Sequence, residues 1–370
     1  MIVEAAANVA KQAAGQADEI EASQRLPATL LQAMIDADLF QMYVRESVGG
    51  PAHDPLTAFL AVETLSRVDA SVGWLSMVSA TTGWITGYLT DEVLRSMVGS
   101  PCDLRIAGSS KPLGVAVAAP GGYRINGRWD FSSGITHANW VMAGCLIEGR
   151  NEMRLFFVPA SDVVVDENWS VVGMRGTGSH DMVISDLFVP HERVASPTGD
   201  AFDSHPIYSQ RIMRVATHGP VAAVALGLAR GALDDLFQLA EQPTSLNAKA
   251  LRDRPEAQVA LALNTARLNS VRAYAIDAIG RAWESLSNER DPSLPVAEAR
   301  TAFAYSARMA ARVIDEIVEI IGTPMVRTTS PLQRRVRDFA VARHFPSFDI
   351  GVLQNAGRVL FGLPPETSGW

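Results

Sequence analysis

The sequence predicts an α+β protein in three parts: an N-terminal helical domain at 1–103, a central β-domain at 104–200 and a C-terminal helical bundle at 201–370. Three observations predict it. Apolar residues recur at helical spacing in the outer parts, strand-like runs are confined to the middle, and a Ser196-Pro197-Thr198-Gly199 cluster marks a linker after them. A chain of 370 residues is also too long for one compact core.

In the first part, Leu26-Pro27 opens a helix that carries Leu30, Leu31, Met34 and Ile35 and stops near Asp38. Met42-Tyr43-Val44 and Gly49-Gly50 read as an extended link running into a turn. Asp54 followed by Pro55 is an N-cap with proline at the first helical position, and the helix it starts shows Phe59, Val62 and Leu65 on one side. A further helix over about 71–88 is small and apolar almost throughout, so it belongs in a core.

In the middle, β-branched or alternating runs at 115–117, 123–125, 141–147, 155–158, 163–165 and 182–189 are divided by Pro120-Gly121-Gly122 and a turn at 148–151. They predict a small antiparallel barrel or sandwich. In the last part, Val271, Tyr274, Ala275, Ala278, Ile279 and Ala282 share one helix face, with Arg272, Asp277, Arg281 and Glu284 opposite. Ala310, Val313, Ile314, Ile317 and Ile321 repeat the pattern, and breaks at 288–295 and 322–331 leave four long helices, a four-helix bundle.

The net charge of −8 argues against a nucleic-acid or anionic-membrane surface, because phosphate binding wants positive charge. No apolar run is long enough to span a bilayer, and the first residues lack a basic start followed by an apolar stretch. The two cysteines, Cys102 and Cys145, offer neither metal-ligand spacing nor a disulfide framework. A cytoplasmic protein without a metal site is expected.

The stretch richest in chemistry is Gly127-Arg128-Trp129-Asp130-Phe131-Ser132-Ser133-Gly134-Ile135-Thr136-His137-Ala138-Asn139-Trp140. Aromatic rings beside hydroxyl donors suit a flat, polar-edged cofactor such as an isoalloxazine, which needs apolar faces and hydrogen bonds at N5 and O4. A hairpin whose aromatics are simply core is the other reading. Arg175-Gly176-Thr177-Gly178-Ser179 offers backbone amides and hydroxyls for polar edges or a phosphate, or is a tight turn that merely needs glycine. It lacks the strand-to-helix context of a dinucleotide fingerprint.

The whole chain resembles the acyl-CoA dehydrogenase fold, and within it the flavin-dependent two-component monooxygenases. The resemblance rests on Asp38-Leu39-Phe40 leading to Gly49-Gly50, Asp69-Ala70-Ser71-Val72-Gly73-Trp74, Gly121-Gly122-Tyr123 running into the stretch above, and Gly173 to Asp181. It continues through Phe188-Val189-Pro190 and Ser330-Pro331-Leu332-Gln333-Arg334 followed by Arg337-Asp338. The dehydrogenases' Thr-Glu-Pro segment is replaced by Ile106-Ala107-Gly108-Ser109-Ser110-Lys111-Pro112, and 340–358 contains no Glu to abstract an α-proton.

The resemblance implies an oxygenase component that uses reduced FMN, or FAD, and O2 through a C4a-hydroperoxyflavin. A separate reductase would supply the flavin, the substrate would be a small aromatic, heteroaromatic or amine molecule, and the assembly a homotetramer. Ser133 is expected at flavin N5 with Ser132 as fallback, or else bonded within its own hairpin. His344 is the expected base, placed in the final helix beyond Arg337-Asp338, and His137 the second choice. Phe131, Arg175, Thr177, Ser179 and His180 are expected around the flavin, and Trp84 and Trp129 as substrate walls. The competing readings are an acyl-CoA dehydrogenase whose base is Glu241 or Glu256, and a non-catalytic flavin- or acyl-binding scaffold.

Overall fold

The computed structural model describes residues 1–99, 102–196, 198–241 and 249–366; Pro197 of the expected linker lies outside them. The first part folds as α1 (Ile2–Ala14), α2 (Ala17–Ser23), α3 (Ala28–Asp36), α4 (Pro55–Ser66), α5 (Ala70–Trp84) and α6 (Asp91–Met97). Asp54 caps α4 as its sequence indicates, its carboxylate accepting the N–H groups of Leu56 at 2.9 Å and Thr57 at 3.0 Å. Asp69 caps α5 in the same way, accepting from Val72 N–H at 3.1 Å. Because α5 is apolar or small on every side, it is buried on every side and becomes the helix against which the other parts assemble.

The middle part is one seven-stranded sheet. Its strands are β1 (Ile106–Ala119), β2 (Gly122–Trp129), β3 (Trp140–Ile147), β4 (Met153–Pro159), β5 (Val164–Asp166), β6 (Asp181–Pro190) and β7 (Val194–Ala195), in the order β5-β6-β2-β1-β3-β4-β7. The sheet is mixed, which corrects the expectation of antiparallel pairing throughout. β1 and β3 run parallel, with Ile106 opposite Trp140 and a bulge between Ser109 and Gly114. The physical reason is the link between β2 and β3. It does not turn back as a hairpin but passes beneath the start of β1, so β3 pairs with the far side of β1. The strand β7, only two residues long, carried no sequence signal.

The last part contains three long helices, α7 (Met213–Leu239), α8 (Pro255–Ser287) and α9 (Ser293–Ile321), and two short ones, α10 (Pro331–Ala342) and α11 (Ile350–Leu360). The expected fourth long helix is divided in two by the turn around Phe345 and Pro346. The α8 and α9 stripes are buried as the spacing predicts, save Tyr274, which is half-buried. α7 crosses α4 closely: a Cβ at Gly227 would stand 2.7 Å from both the Glu63 carbonyl oxygen and the Ser66 Cβ. Tyr43 OH donates to the Ala216 carbonyl at 3.1 Å and Tyr208 OH to the Tyr43 carbonyl at 2.8 Å, so the link after α3 is tied to the bundle.

Two glycine substitutions test this packing with opposite signs. Gly227→Ala forces α4 from α7 and is expected to lower stability by about 1–3 kcal/mol. Gly280→Ala, in α8 with nothing within 4 Å of the added Cβ, is expected to raise it by about 0.4–1 kcal/mol through the unfolded chain. Urea unfolding of both variants reads the two signs directly.

Candidate active site

Two irregular segments meet at one end of the sheet. β2 ends at Trp129, opposite Met182 near the start of β6, so the segments 130–139 and 167–180 emerge side by side. Their backbones pair: Ser132 N–H donates to the His180 carbonyl at 3.0 Å and Gly134 N–H to the Thr177 carbonyl at 2.9 Å. Asn139 fastens the first segment to the entrance of β1. Its side chain accepts Arg105 N–H at 2.8 Å and donates to the Asp103 carbonyl at 2.6 Å.

The pairing brings Ser133, Ser179 and Thr177 into a row of buried hydroxyls. Ser133 Oγ lies 2.7 Å from Ser179 Oγ, which lies 2.6 Å from Thr177 Oγ1; the Thr177 hydroxyl donates to the Met174 carbonyl at 2.8 Å. At the other end, Trp74 on α5 donates its indole N–H to Ser133 Oγ at 3.1 Å. Ser133 lines an open recess with Phe40, Leu75, Ser79, Arg105, Ile106 and His137. The Ser132 hydroxyl turns inward, with only the Trp129 carbonyl at 3.5 Å. Thr177 and Ser179, expected to touch the flavin directly, stand behind Ser133 in the row.

The side chains lining this recess are of the kinds that a flavin edge needs. Phe40, Leu75 and Ile106 offer apolar contact, and the Ser133 and Ser79 hydroxyls offer polar contact. Phe131 stands outside the recess, 59% exposed, with its backbone in the left-handed region at φ 57°. Its ring meets the edge of Trp169 at 6.0 Å and lies beneath Lys111 Nζ at 5.4 Å.

The histidines separate by their partners. His137 Nε2 accepts Leu26 N–H at 2.9 Å, fastening the chain between α2 and α3 to the sheet. Burial, then Arg25 and Arg105, pull its pKa down to about 4. With its lone pair engaged, His137 is a structural neutral imidazole, which corrects its expected role as a base. His180 Nδ1 accepts Trp169 N–H at 3.1 Å, so it braces the turn beneath Phe131. His344 lies beyond the end of α10 and not within a helix, exposed in the single chain. Its neighbour Phe345 packs edge-on to Trp74 at 5.7 Å, which links the His344 turn to Ser133 through one indole.

Three further expectations are corrected. Trp129 is wholly buried in the sheet core, its indole N–H on the Gly144 carbonyl at 2.8 Å, with Gly114 and Gly127 leaving room for the ring. Trp84 lies ten residues past Trp74, about 15 Å along α5. It donates to the Ile207 carbonyl at 2.6 Å and tilts on Tyr88 at 4.9 Å. Both are core, since a buried indole spends its N–H on a carbonyl wherever one is offered. Arg175 faces away from Ser133, towards the carbonyls of Glu21 at 3.3 Å and Val171 at 3.4 Å.

On that side Arg175 lines a second recess with Asp69, Arg334 and Asp338. Asp338 is buried and accepts Met174 N–H at 2.6 Å; burial, and then the nearby Asp69, push its pKa up to about 7. Glu241 and Glu256 are exposed, the former paired with Arg252 at 2.5 Å and the latter 3.9 Å from Arg254, so neither serves a buried site. Trp74, Phe40 and Leu75 were not assigned to the site from sequence. The available signal was Trp74 itself, an indole N–H on a helix of small residues.

Residues 1–98 match the acyl-CoA dehydrogenase N-terminal domain and residues 220–349 the acyl-CoA dehydrogenase C-terminal domain. The chain is 31% identical over 352 residues to the indole-3-acetate monooxygenase of Pseudomonas putida, covering 94% of this chain and 90% of that protein. It is 27% identical over 404 residues to the FADH2-dependent resorcinol hydroxylase, oxygenase component, of a Rhizobium species, covering 97% and 94%. The crystal structure of the HsaA monooxygenase from M. tuberculosis superimposes with a TM-score of 0.90 at 27% identity, covering 100% of this chain and 99% of that one.

The His137 assignment predicts an acid-labile contact. An imidazole held neutral to about pH 4 but free to protonate near pH 6.5 when unfolded supports the fold fully above about 6.5 and loses that support as pH falls to about 4. The loss is expected to be about 3 kcal/mol. His137→Gln keeps an acceptor for Leu26 N–H but does not titrate, so the wild-type minus variant stability should slope across that window. The difference removes the opposite contribution of Asp338, whose raised pKa adds stability as pH falls. A flat difference in urea unfolding would reject the assignment.

Proposed function

This chain belongs to the acyl-CoA dehydrogenase family, in its flavin-dependent monooxygenase branch, and we propose that it carries its reaction at the Ser133 recess. It is the oxygenase component of a two-component system, taking reduced flavin and O2 to oxygenate an aromatic or heteroaromatic molecule. A separate flavin reductase supplies the reduced flavin. The observation that carries the placement is a hydroxyl at the wall of a recess that mixes apolar and polar side chains, held by bonds from two different segments.

When bound, the reduced flavin activates O2 and passes one oxygen atom to the substrate. The chain's own contributions are positional and protic. Ser133 would hold the ring edge at N5, and Phe40, Leu75 and Ile106 would keep water from it. His344 accepts a proton from the substrate's hydroxyl or ring N–H, imidazole being the side chain whose ordinary pKa suits that exchange. What supports His344 is its place next to Phe345, against Trp74.

We assign a homotetramer on the exposed apolar side chains that follow His344, with Ile350 65%, Leu360 56% and Phe361 87% exposed; their burial would also enclose the His344 turn. No helix among the described residues is long and apolar enough to cross a membrane. Both cysteines are free thiols, which suits the reducing cytoplasm.

The test is the fate of reduced flavin in air, with indole and a substituted phenol as probes. Ser133→Ala is expected to shift about tenfold of the flux from oxygenated product to hydrogen peroxide, the worth of one well-placed bond. His344→Ala is expected to lower phenol oxygenation about a hundredfold or more while flavin binding is unchanged. Unaltered coupling in Ser133→Ala would remove the recess from the mechanism. Bleaching of bound oxidised FAD by acyl-CoA would replace the oxygenase reading altogether.

A further inference from the structure

The direction of a hydroxyl chain is decided at its ends. An indole N–H only donates and a carbonyl oxygen only accepts. The 2.8 Å approach of Thr177 Oγ1 to the Met174 carbonyl requires the Thr177 proton between them. Thr177 must then accept from Ser179 across 2.6 Å, and Ser179 must accept from Ser133 across 2.7 Å. Ser133 therefore spends its only proton inward. One of its lone pairs takes the Trp74 N–H at 3.1 Å, and the other is left for whatever enters the recess.

We propose that this one-way chain makes Ser133 purely an acceptor towards its ligand, and that Thr177 and Ser179 thereby set the preference for reduced over oxidised flavin. The proposal rests on the reading that Ser133 meets flavin N5. In the reduced ring N5 carries a hydrogen, which an acceptor welcomes. In the oxidised ring N5 presents a lone pair, which an acceptor-only oxygen opposes. A lone serine would serve either form by rotating its hydroxyl. Here the rotation is blocked by two further hydroxyls and a carbonyl, none of which need touch the flavin. Thr177 and Ser179 are positioning residues in this scheme. Trp74 holds Ser133 in place without setting its direction.

The consequence suits an enzyme fed by a separate reductase. Reduced flavin is favoured on arrival, and the oxidised flavin left after turnover meets a less favourable partner and departs.

The experiment is equilibrium binding of FMN and FAD, oxidised in air and reduced under anaerobic conditions, followed by protein tryptophan fluorescence. The readout is the ratio of oxidised to reduced Kd. Ser179→Ala frees the Ser133 proton for the oxidised ring and is expected to lower the ratio about three- to tenfold. Thr177→Val, which opens the chain at its far end, is expected to lower it in the same direction and serves if Ser179→Ala does not fold. Trp74→Phe leaves the Ser133 proton on Ser179 and should hold the ratio within about twofold. A wild-type ratio retained in both Ser179→Ala and Thr177→Val, while Ser133→Ala weakens reduced-flavin binding, overturns the proposal but keeps flavin at Ser133. Reduced-flavin binding unaffected by Ser133→Ala removes the placement itself, and the proposal with it.

Discussion

Buried backbone groups must find partners, and at one end of the sheet two segments outside strand and α-helix find them in each other. Ser132 and Gly134 donate to the carbonyls of His180 and Thr177, and no long element is involved. Everything at the site follows from that crossing. It sets Ser133 beside Ser179, aims the hydroxyl row, and gives Trp74 on α5 a partner for its indole N–H. The parallel pairing of β1 with β3 is part of the same constraint, because the segment that crosses beneath β1 is the one that carries Ser133.

The C-terminal arm is latched to this crossing at two points. Asp338 accepts the Met174 N–H, and the carbonyl of the same Met174 receives the Thr177 hydroxyl, so one peptide neighbourhood joins α10 to the hydroxyl row. Seven residues on, Phe345 lies against Trp74 at the other end of the row. A buried carboxylate close to Asp69 is a costly group, and its pKa is raised accordingly. Its position is nonetheless shared with ion pairs that bind α10 elsewhere: Arg335 to Asp235 at 2.6 Å on α7, and Arg334 to Glu21 at 2.7 Å on α2. The arm that carries His344 is therefore placed by contacts with all three parts of the fold.

Much of this was legible in the chain. The helix start at Asp54 and the stripes of α8 and α9 are local matters of capping and periodicity and appear where the sequence puts them; six strand runs do as well, although β1 begins nine residues before the run at 115–117. The motif 127–140 was recognisable as the place where aromatic rings and hydroxyls gather. Which of its members face the recess was not. Trp129 and Ser132 sit within four residues of Ser133 yet turn into the core, because pleat and turn alternate their directions and the surrounding glycines make room for an indole.

By itself, then, the sequence determined the order of helical and strand-rich parts, the Asp54 cap, the buried faces of α8 and α9, and the family likeness that implies a flavin. Those depend on spacing within a few residues. Only the tertiary structure decided that β1 and β3 run parallel, that His137 spends its lone pair on Leu26, and that Ser133 stands between Trp74 and Ser179. Each of those joins residues far apart in the chain. Hydrogen-bond polarity in particular is a property of a whole connected row, fixed only when the carbonyl that accepts at its far end is in place.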